Sequence, residues 1–247
     1  MSNMVCEIND LNVFSSSNKH LVKGISFSLE AGETLGLVGE SGSGKTLTSK
    51  SVIDLLPEGL RMETQKRAVT ENTAMIFQNP LSALDPLCPV FRQLCEVIEF
   101  RQGVSRQEAK NRGAELLDRL ALPEALMEKD RYPWELSGGQ CQRILIAMAL
   151  ASSPELLLCD EPTTALDVTV QKQTIELIQN LQKELGFAMV FVTHNLAVAS
   201  QLCERLAVMR QGEIIEMGTR SEILKNPQHE YTKKLIGAIL DIPEREA

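Results

Sequence analysis

No long run of Lys or Arg occurs in this chain, and its formal net charge is −8. Nucleic-acid binding in general rests on neutralising phosphates, so this balance argues against it. No apolar run approaches the roughly 18–20 residues that span a bilayer. Residues 1–10 lack the basic-then-apolar order of a signal peptide. The expectation is a protein that stays in the cytosol unless a partner holds it at a membrane. C-x-x-C pairs are missing as well. The six cysteines (Cys6, Cys88, Cys95, Cys141, Cys159 and Cys203) are scattered, which argues against zinc or cluster ligation and for reduced thiols in a core. Aromatics are scarce, with Trp134 the single Trp, and there are no internal repeats or low-complexity tracts. Hydrophobic residues make up 43% of 247 positions, which suits one large or two modest globular domains.

Against this plain background one octet stands out. Gly39, Glu40, Ser41, Gly42, Ser43, Gly44, Lys45 and Thr46 match the phosphate-cradling pattern G-x-x-x-x-G-K-[ST] at every fixed position. Residues 34–38 before it form a short apolar run that reads as a buried strand, and residues 47–56 after it read as a helix. The three glycines allow a tight turn that presents N–H groups to phosphate oxygens, and the helix N-terminus adds its positive dipole end. Lys45 would reach the β- and γ-phosphates, and the Thr46 hydroxyl would ligate Mg²⁺.

The rest of the chain predicts an α/β architecture. Residues 21–29 alternate apolar and polar, as a half-buried strand should. Residues 74–77, 156–159, 188–192, 206–209 and 214–217 read as further strands. The stretch 79–135 changes character: it opens with Pro80, Pro86 and Pro89 and becomes helical, with a capping box at Ser105 to Glu108 and another short helix from Pro123. It reads as an all-helical insertion in a catalytic core made of 1–78 and 136–225. Helices are expected from Ser137 to about residue 151, over 168–185 with Gly186 at the C-cap, over 196–203, and in a C-terminal segment, 226–247, whose amphipathic helix covers 229–240. Alternating strands and helices argue for a mostly parallel sheet with helices on its faces, joined to an N-terminal antiparallel β subdomain.

A second element follows the apolar run 156–159. Asp160 and Glu161 end that strand as paired carboxylates. In phosphate-binding ATPases the first acid holds Mg²⁺ and the second orients and deprotonates an attacking water. Gln78, after the strand 74–77, carries an amide that can touch Mg²⁺ or that water. His194 could hydrogen-bond the γ-phosphate. Ser137, Gly138, Gly139 and Gln140 open a helix and form another anion site. Taken singly, a histidine after a strand is more often structural, and Ser-Gly-Gly is more often a loop.

Together these elements resemble the ATP-binding cassette family. Residues 136–140 equal its signature L-S-G-G-Q, and the order of P-loop, Gln78, helical insertion, signature, acidic strand, D-loop (Ala165, Leu166, Asp167) and switch histidine His194 is the same. The resemblance covers essentially the whole chain. It implies ATP and Mg²⁺ as ligands, with Thr46, Gln78 and Asp160 around the metal. It also implies head-to-tail pairing with a second ATPase subunit, so that Ser137 and Gly139 would act on nucleotide bound by the partner's P-loop. A narrower resemblance, to dipeptide, oligopeptide and nickel importer ATPases, rests on residues 77–86 (FQNPLSALDP) and 226–232 (NPQHEYT). It implies a peripheral subunit on the cytoplasmic face of the membrane, docked on two transmembrane permease subunits and served indirectly by an extracytoplasmic solute-binding protein. A permease helix is expected near residues 78–90, with Arg92 and Glu96 at its edge. The chain ends without a Cys-rich extension, which leans toward the short, nickel-type members.

Several residues depart from the family pattern: Asp85 for Asn, Thr164 for Ser, Cys141 after the signature, and Asn195 for Asp beside the switch histidine. Residues 57–73 are short, so a strand or turn there is expected to be trimmed. Phe14 is the candidate for stacking on adenine, with a core Phe at a strand end as the equal alternative. An exporter ATPase, or a cassette ATPase acting on nucleic acid or ribosomes, stands as the alternative function.

Overall fold

The computed structural model describes residues 3–164 and 166–240. It divides into two compact units: one holds the described residues up to Glu71 and from Ala188 onward, the other spans Asn72–Phe187.

The first unit opens with an antiparallel sheet. Its central strand β1 (Met4–Ser15) pairs with β2 (His20–Glu30) along one edge. Apolar side chains at Ile8, Leu11 and Val13 on β1 and Val22, Ile25, Phe27 and Leu29 on β2 are buried. The register shifts between Ile8, Leu11, Val13 and Phe14, and Asp10 adopts φ +53. These irregularities break the strict alternation that marks β2. Strand β3 (Thr34–Val38) follows and is buried at every position, as its unbroken apolar run requires. Helix α1 (Lys45–Val52) is shorter at its far end than the expected 47–56. Asp54 at φ +60 turns the chain out of the helix, and Leu55 is left exposed. Strands β4 (Leu60–Glu63) and β5 (Lys66–Val69) then both return to β1. Within residues 57–73 the two strands run end to end, in one continuous antiparallel register along β1.

The second unit begins with β6 (Thr73–Ile76). Helices α2 (Pro80–Ala83), α3 (Val90–Gln102), α4 (Arg106–Arg119) and α5 (Ala125–Glu128) and a 3₁₀ turn at Pro133–Glu135 follow. Ser105 accepts the Glu108 N–H and caps α4 as expected, whereas α5 starts two residues after Pro123. Helix α6 (Gly138–Leu150) leads into β7 (Leu156–Asp160), which pairs in parallel with β6 and is fully buried. Helix α7 (Val168–Leu185) buries Thr174, Ile175, Ile178 and Leu181, a stripe at helical spacing, and ends on Gly186 at φ +70.

The chain then re-enters the first unit. Strand β8 (Ala188–Thr193) is buried throughout, and helix α8 (Leu196–Leu202) packs on β3 and β8. Strand β9 (Arg205–Arg210) completes a parallel arrangement in which β3 lies between β8 and β9, and β10 (Glu213–Thr219) adds antiparallel to β9. Full burial of Phe191 in this layer contributes about 1.5–3 kcal/mol. Thr219 and Glu222 form a capping box for α9 (Arg220–Lys225), and α10 (Glu230–Leu240) closes the described chain.

All six cysteines are free thiols. Burial pushes Cys6 up to about 12 and Cys95 to about 11, and it pushes Cys203 up as well. They behave as small apolar side chains. No helix among the described residues is long and apolar enough to cross a membrane.

Candidate functional site

In the first unit, residues 39–46 run from the end of β3 into α1. Gly39 is buried, and a Cβ there would lie 2.2 Å from the Met209 backbone oxygen and 2.8 Å from Ser43 Oγ. Gly42 presents the opposite case: an added Cβ meets nothing within 4 Å, but its φ is +78. The turn between them is held from several sides. Ser43 N–H donates to Glu40 O at 3.2 Å, and Gly212 N–H donates to Ser43 O at 2.9 Å. Glu40 N–H donates to the Tyr231 hydroxyl at 3.2 Å.

Lys45 is 4% exposed, and its Nζ donates to Gly39 O at 2.8 Å and Glu40 O at 2.9 Å. Ser43 Oγ is buried and has no hydrogen-bond partner among the described residues. A buried ammonium and an orphaned hydroxyl in one loop, at the N-terminus of a helix, suit the oxygens of a phosphate group. The Thr46 side chain is half-buried, while Glu40 and Ser41 are exposed.

His194 is exposed between β8 and α8. Its neighbour Asn195 donates its N–H to Thr193 Oγ1 at 3.0 Å, and its own Oδ1 accepts from Ala197 and Val198 N–H at 2.9 and 3.4 Å. The departure at 195 therefore keeps the capping function that Asp would also serve. Phe14 is half-buried and so is no core residue. On β1 it lies opposite His20 of β2 and Arg61 of β4. The His20 ring stacks on it with centroids 4.4 Å apart, and the Arg61 guanidinium sits 4.9 Å from its centroid.

In the second unit, β7 ends on Asp160, which is 3% exposed. Glu161 follows with φ +46, a left-handed conformation that costs a non-glycine residue about 1–2 kcal/mol. Its Oε2 accepts from Thr164 Oγ1 at 2.8 Å and from Gln78 Nε2 at 3.4 Å. The structure thus brings Gln78 and Glu161 together, and Thr164 with them. Thr164 entered the sequence reading only as a departure from pattern. Its hydroxyl, three residues along a turn, carried no signal of this contact.

Ser137 caps α6: its Oγ accepts the Gln140 N–H at 3.3 Å, and Gln140 Oε1 accepts the Ser137 N–H at 2.9 Å. Gly138 and Gly139 are the first residues of that helix. A Cβ on Gly139 would stand 2.7 Å from Val170 Cγ1, so its first duty is to let α6 approach α7. Cys141 is buried and its Sγ donates to Pro133 O at 3.4 Å. Asp167 caps α7 through Val170 N–H at 3.0 Å, and Ala165, the first D-loop position, lies outside the described residues. Asp85 Oδ1 accepts the Leu87 N–H at 2.8 Å, and the Gln93 amide donates to Asp85 O and Cys88 O. This clip presents Leu87, 86% exposed, at the surface. Nearby, Arg92 pairs with Glu96 at 2.9 Å on the wall of a cavity of about 270 Å³. No group of three or more His, Cys, Asp or Glu placed to hold a metal occurs among the described residues.

Comparison with known proteins gives a consistent result. A family model described as "ABC transporter" matches residues 22–164. Among curated relatives, "Glutathione import ATP-binding protein GsiA" of Escherichia coli (strain K12) is 41% identical over 91% of this chain and 41% of its own length. "Peptidoglycan transport ATP-binding protein YejF" of Agrobacterium fabrum is 44% identical over 87% of this chain and 42% of its own. The chain therefore spans about two fifths of the curated relatives it matches. Among solved structures, cbiO1 from Clostridium perfringens, described as part of the ABC transporter complex cbiONQ, superposes with a TM-score of 0.75 at 25% identity, covering 98% of this chain and 96% of that one. The ATP-binding cassette MJ0796, in a post-hydrolysis state bound to ADP and Pi, gives 0.73 at 26% identity, covering 87% and 99%.

Proposed function

The chain belongs to the ABC transporter ATP-binding family, and on that premise we propose that it is the ATP-hydrolysing subunit of an importer for peptide-like solutes. The observation that carries the reading is the loop 39–46: a buried Lys45, an unpartnered buried Ser43 hydroxyl and a helix N-terminus in one turn. That donor set suits the oxygens of a polyphosphate.

The roles follow from chemistry. Lys45 and the N–H groups of 42–46 bind the β- and γ-phosphates of ATP. Mg²⁺ arriving with the nucleotide would supply charge neutralisation at the phosphates, with Thr46, Asp160 and Gln78 as its protein neighbours. Glu161 accepts the proton of the attacking water, and Thr164 and Gln78 keep its carboxylate in one orientation. His194 hydrogen-bonds the γ-phosphate. Ser137, Gly138, Gly139 and Gln140 present the capped start of α6 to nucleotide held by a second ATPase subunit, and Asp167 lies in the D-loop facing that subunit. ATP thereby favours the closed pair, and hydrolysis releases it. Whether adenine rests on Phe14 depends on displacing His20 or Arg61 from its ring.

Residues 79–135 serve as the helical subdomain that meets the permease, 1–78 with 136–225 as the catalytic core, and 226–247 as a C-terminal segment. Leu87 and the Arg92–Glu96 pair suit a permease helix, in keeping with a proposed subunit at the cytoplasmic face of the membrane beside two permease subunits, with a solute-binding protein outside. The names of the relatives support a peptide-like solute in preference to nickel.

The test is hydrolysis by the chain reconstituted with its permease pair. Glu161→Gln should retain ATP binding, remain paired with its partner ATPase and lose about 10²–10⁴-fold in turnover, the usual contribution of a positioned base. Normal hydrolysis by that variant would refute the assignment of the base.

A further inference from the structure

The sequence motif 226–232 took no part in the roles above, yet the structure ties it to the phosphate loop. Tyr231 lies in the first turn of α10 and is 7% exposed. Its hydroxyl accepts the Glu40 N–H at 3.2 Å, 191 positions away along the chain. The Arg210 guanidinium covers its ring at 4.9 Å from the centroid. Burial pushes the phenol upward, so it remains a neutral hydroxyl near neutral pH.

The start of α10 is itself fixed. Glu216 on β10 accepts the Gln228 N–H at 2.7 Å and the His229 N–H at 3.1 Å. His229 Nδ1 then accepts the Tyr231 N–H at 3.0 Å. The chain from β10 to Tyr231 is therefore held in register by side-chain acceptors before the phenol reaches Glu40. The carbonyl of that same peptide, Gly39 O, accepts from Lys45 Nζ at 2.8 Å, and the next carbonyl, Glu40 O, accepts from it at 2.9 Å. Two residues that the sequence places at opposite ends of the chain thus hold one residue of the loop, one through its N–H and one through its carbonyl.

We infer that Tyr231 is a positioning residue for nucleotide binding: by fixing Glu40 it holds the first turn of the phosphate loop in its binding-competent shape before any nucleotide arrives. The inference rests on the nucleotide-site reading of 39–46 and adds to it a residue that touches no phosphate. A loop ordered in advance loses less freedom on binding, so the contribution falls on affinity and not on the chemical step.

Tyr231→Phe keeps the ring against Arg210 and removes only the hydroxyl. Because Glu40 is exposed, water can satisfy its N–H in the variant. The net change is that of one ordinary hydrogen bond, and the expected result is about a three- to tenfold rise in Kd for ATP, read with a fluorescent ATP analogue. KM for ATP should rise with it, and kcat at saturating ATP should stay within about twofold. Without nucleotide, amide exchange of Ser41, Gly42 and Ser43 should be faster while the melting temperature falls by no more than about 2–4 °C. An unaltered Kd and exchange rate would overturn the inference. So would a Kd that rises only in step with a falling melting temperature, which would make the contact a matter of fold stability. Failure of the unaltered protein to bind ATP would overturn the nucleotide-site reading and this inference together, whereas binding that is indifferent to Tyr231→Phe overturns this inference alone.

Discussion

Replacing Gly39 and Gly42 by Ala, each alone, separates two reasons for glycine in one loop. At Gly39 the cost is space. The new Cβ would start 2.2 Å from the Met209 backbone oxygen and 2.8 Å from Ser43 Oγ. Ordinary carbon–oxygen contact needs roughly 1 Å more, and the first of these obstacles is main chain in β9, which cannot rotate away. The loop must retreat by about that distance, carrying Lys45 and the N–H groups with it. A forced backbone shift of that kind costs about 1–3 kcal/mol, and its upper end is about a hundredfold in affinity. At Gly42 nothing obstructs a Cβ, and the cost is the left-handed backbone, about 1–2 kcal/mol. Gly39→Ala should therefore weaken ATP binding about a hundredfold and lower the melting temperature, whereas Gly42→Ala should weaken binding about five- to thirtyfold. Calorimetric titration with ATP and thermal melts of both variants decide it. The reasoning fails if Gly39→Ala binds and melts like the unaltered protein, or if Gly42→Ala proves the more damaging of the two.

Two further outcomes are expected. Ser137→Arg should abolish turnover at the nucleotide site of the facing ATPase subunit, and in mixed pairs the loss should appear in the partner's site; loss confined to its own site would sink head-to-tail pairing. Burial raises Glu216, but the Gln228 and His229 N–H groups outweigh it and hold the carboxyl below its ordinary value of 4.5. A depressed pKa in the folded state gives stability that is present above 4.5 and lost as pH falls through the lower folded value. The protection of the Gln228 and His229 amides, measured relative to free amides at the same pH, should accordingly fall below about pH 4.5, and Glu216→Gln should show lower protection already at pH 7; equal protection at pH 7 and pH 3 would contradict it.

What could be read from sequence followed the strength of local pattern. Strands β3, β7 and β8 are buried at every position, and runs such as Leu156, Leu157 and Leu158 announce that directly. Caps were legible because Ser105, Ser137 and Thr219 each precede a Glu or Gln by three residues. Strands β4 and β5 were not legible, since Arg61, Glu63, Lys66 and Arg67 face solvent at an edge and make no apolar run. The early end of α1 depends on the positive φ of Asp54, which no residue type there demands. In the site, Lys45, Asp160 and Glu161 came from motif spacing. Thr164 and Tyr231 came only from contacts, the first within a turn and the second across 191 positions. A side chain whose importance lies in what it touches leaves no periodic trace.

The first unit is made from two stretches of chain separated by the whole of Asn72–Phe187, and this has a consequence during synthesis. At about 5–20 residues per second, a ribosome needs on the order of ten seconds to deliver that interval. Throughout it β3, with Leu35, Leu37 and Val38, has emerged while neither β8 nor β9 exists to pair with it. Long-range parallel pairing is slow even for a finished chain. The nascent protein therefore carries an unpaired apolar strand for seconds, and it is in that interval, more than in the finished fold, that chaperones and aggregation compete for it.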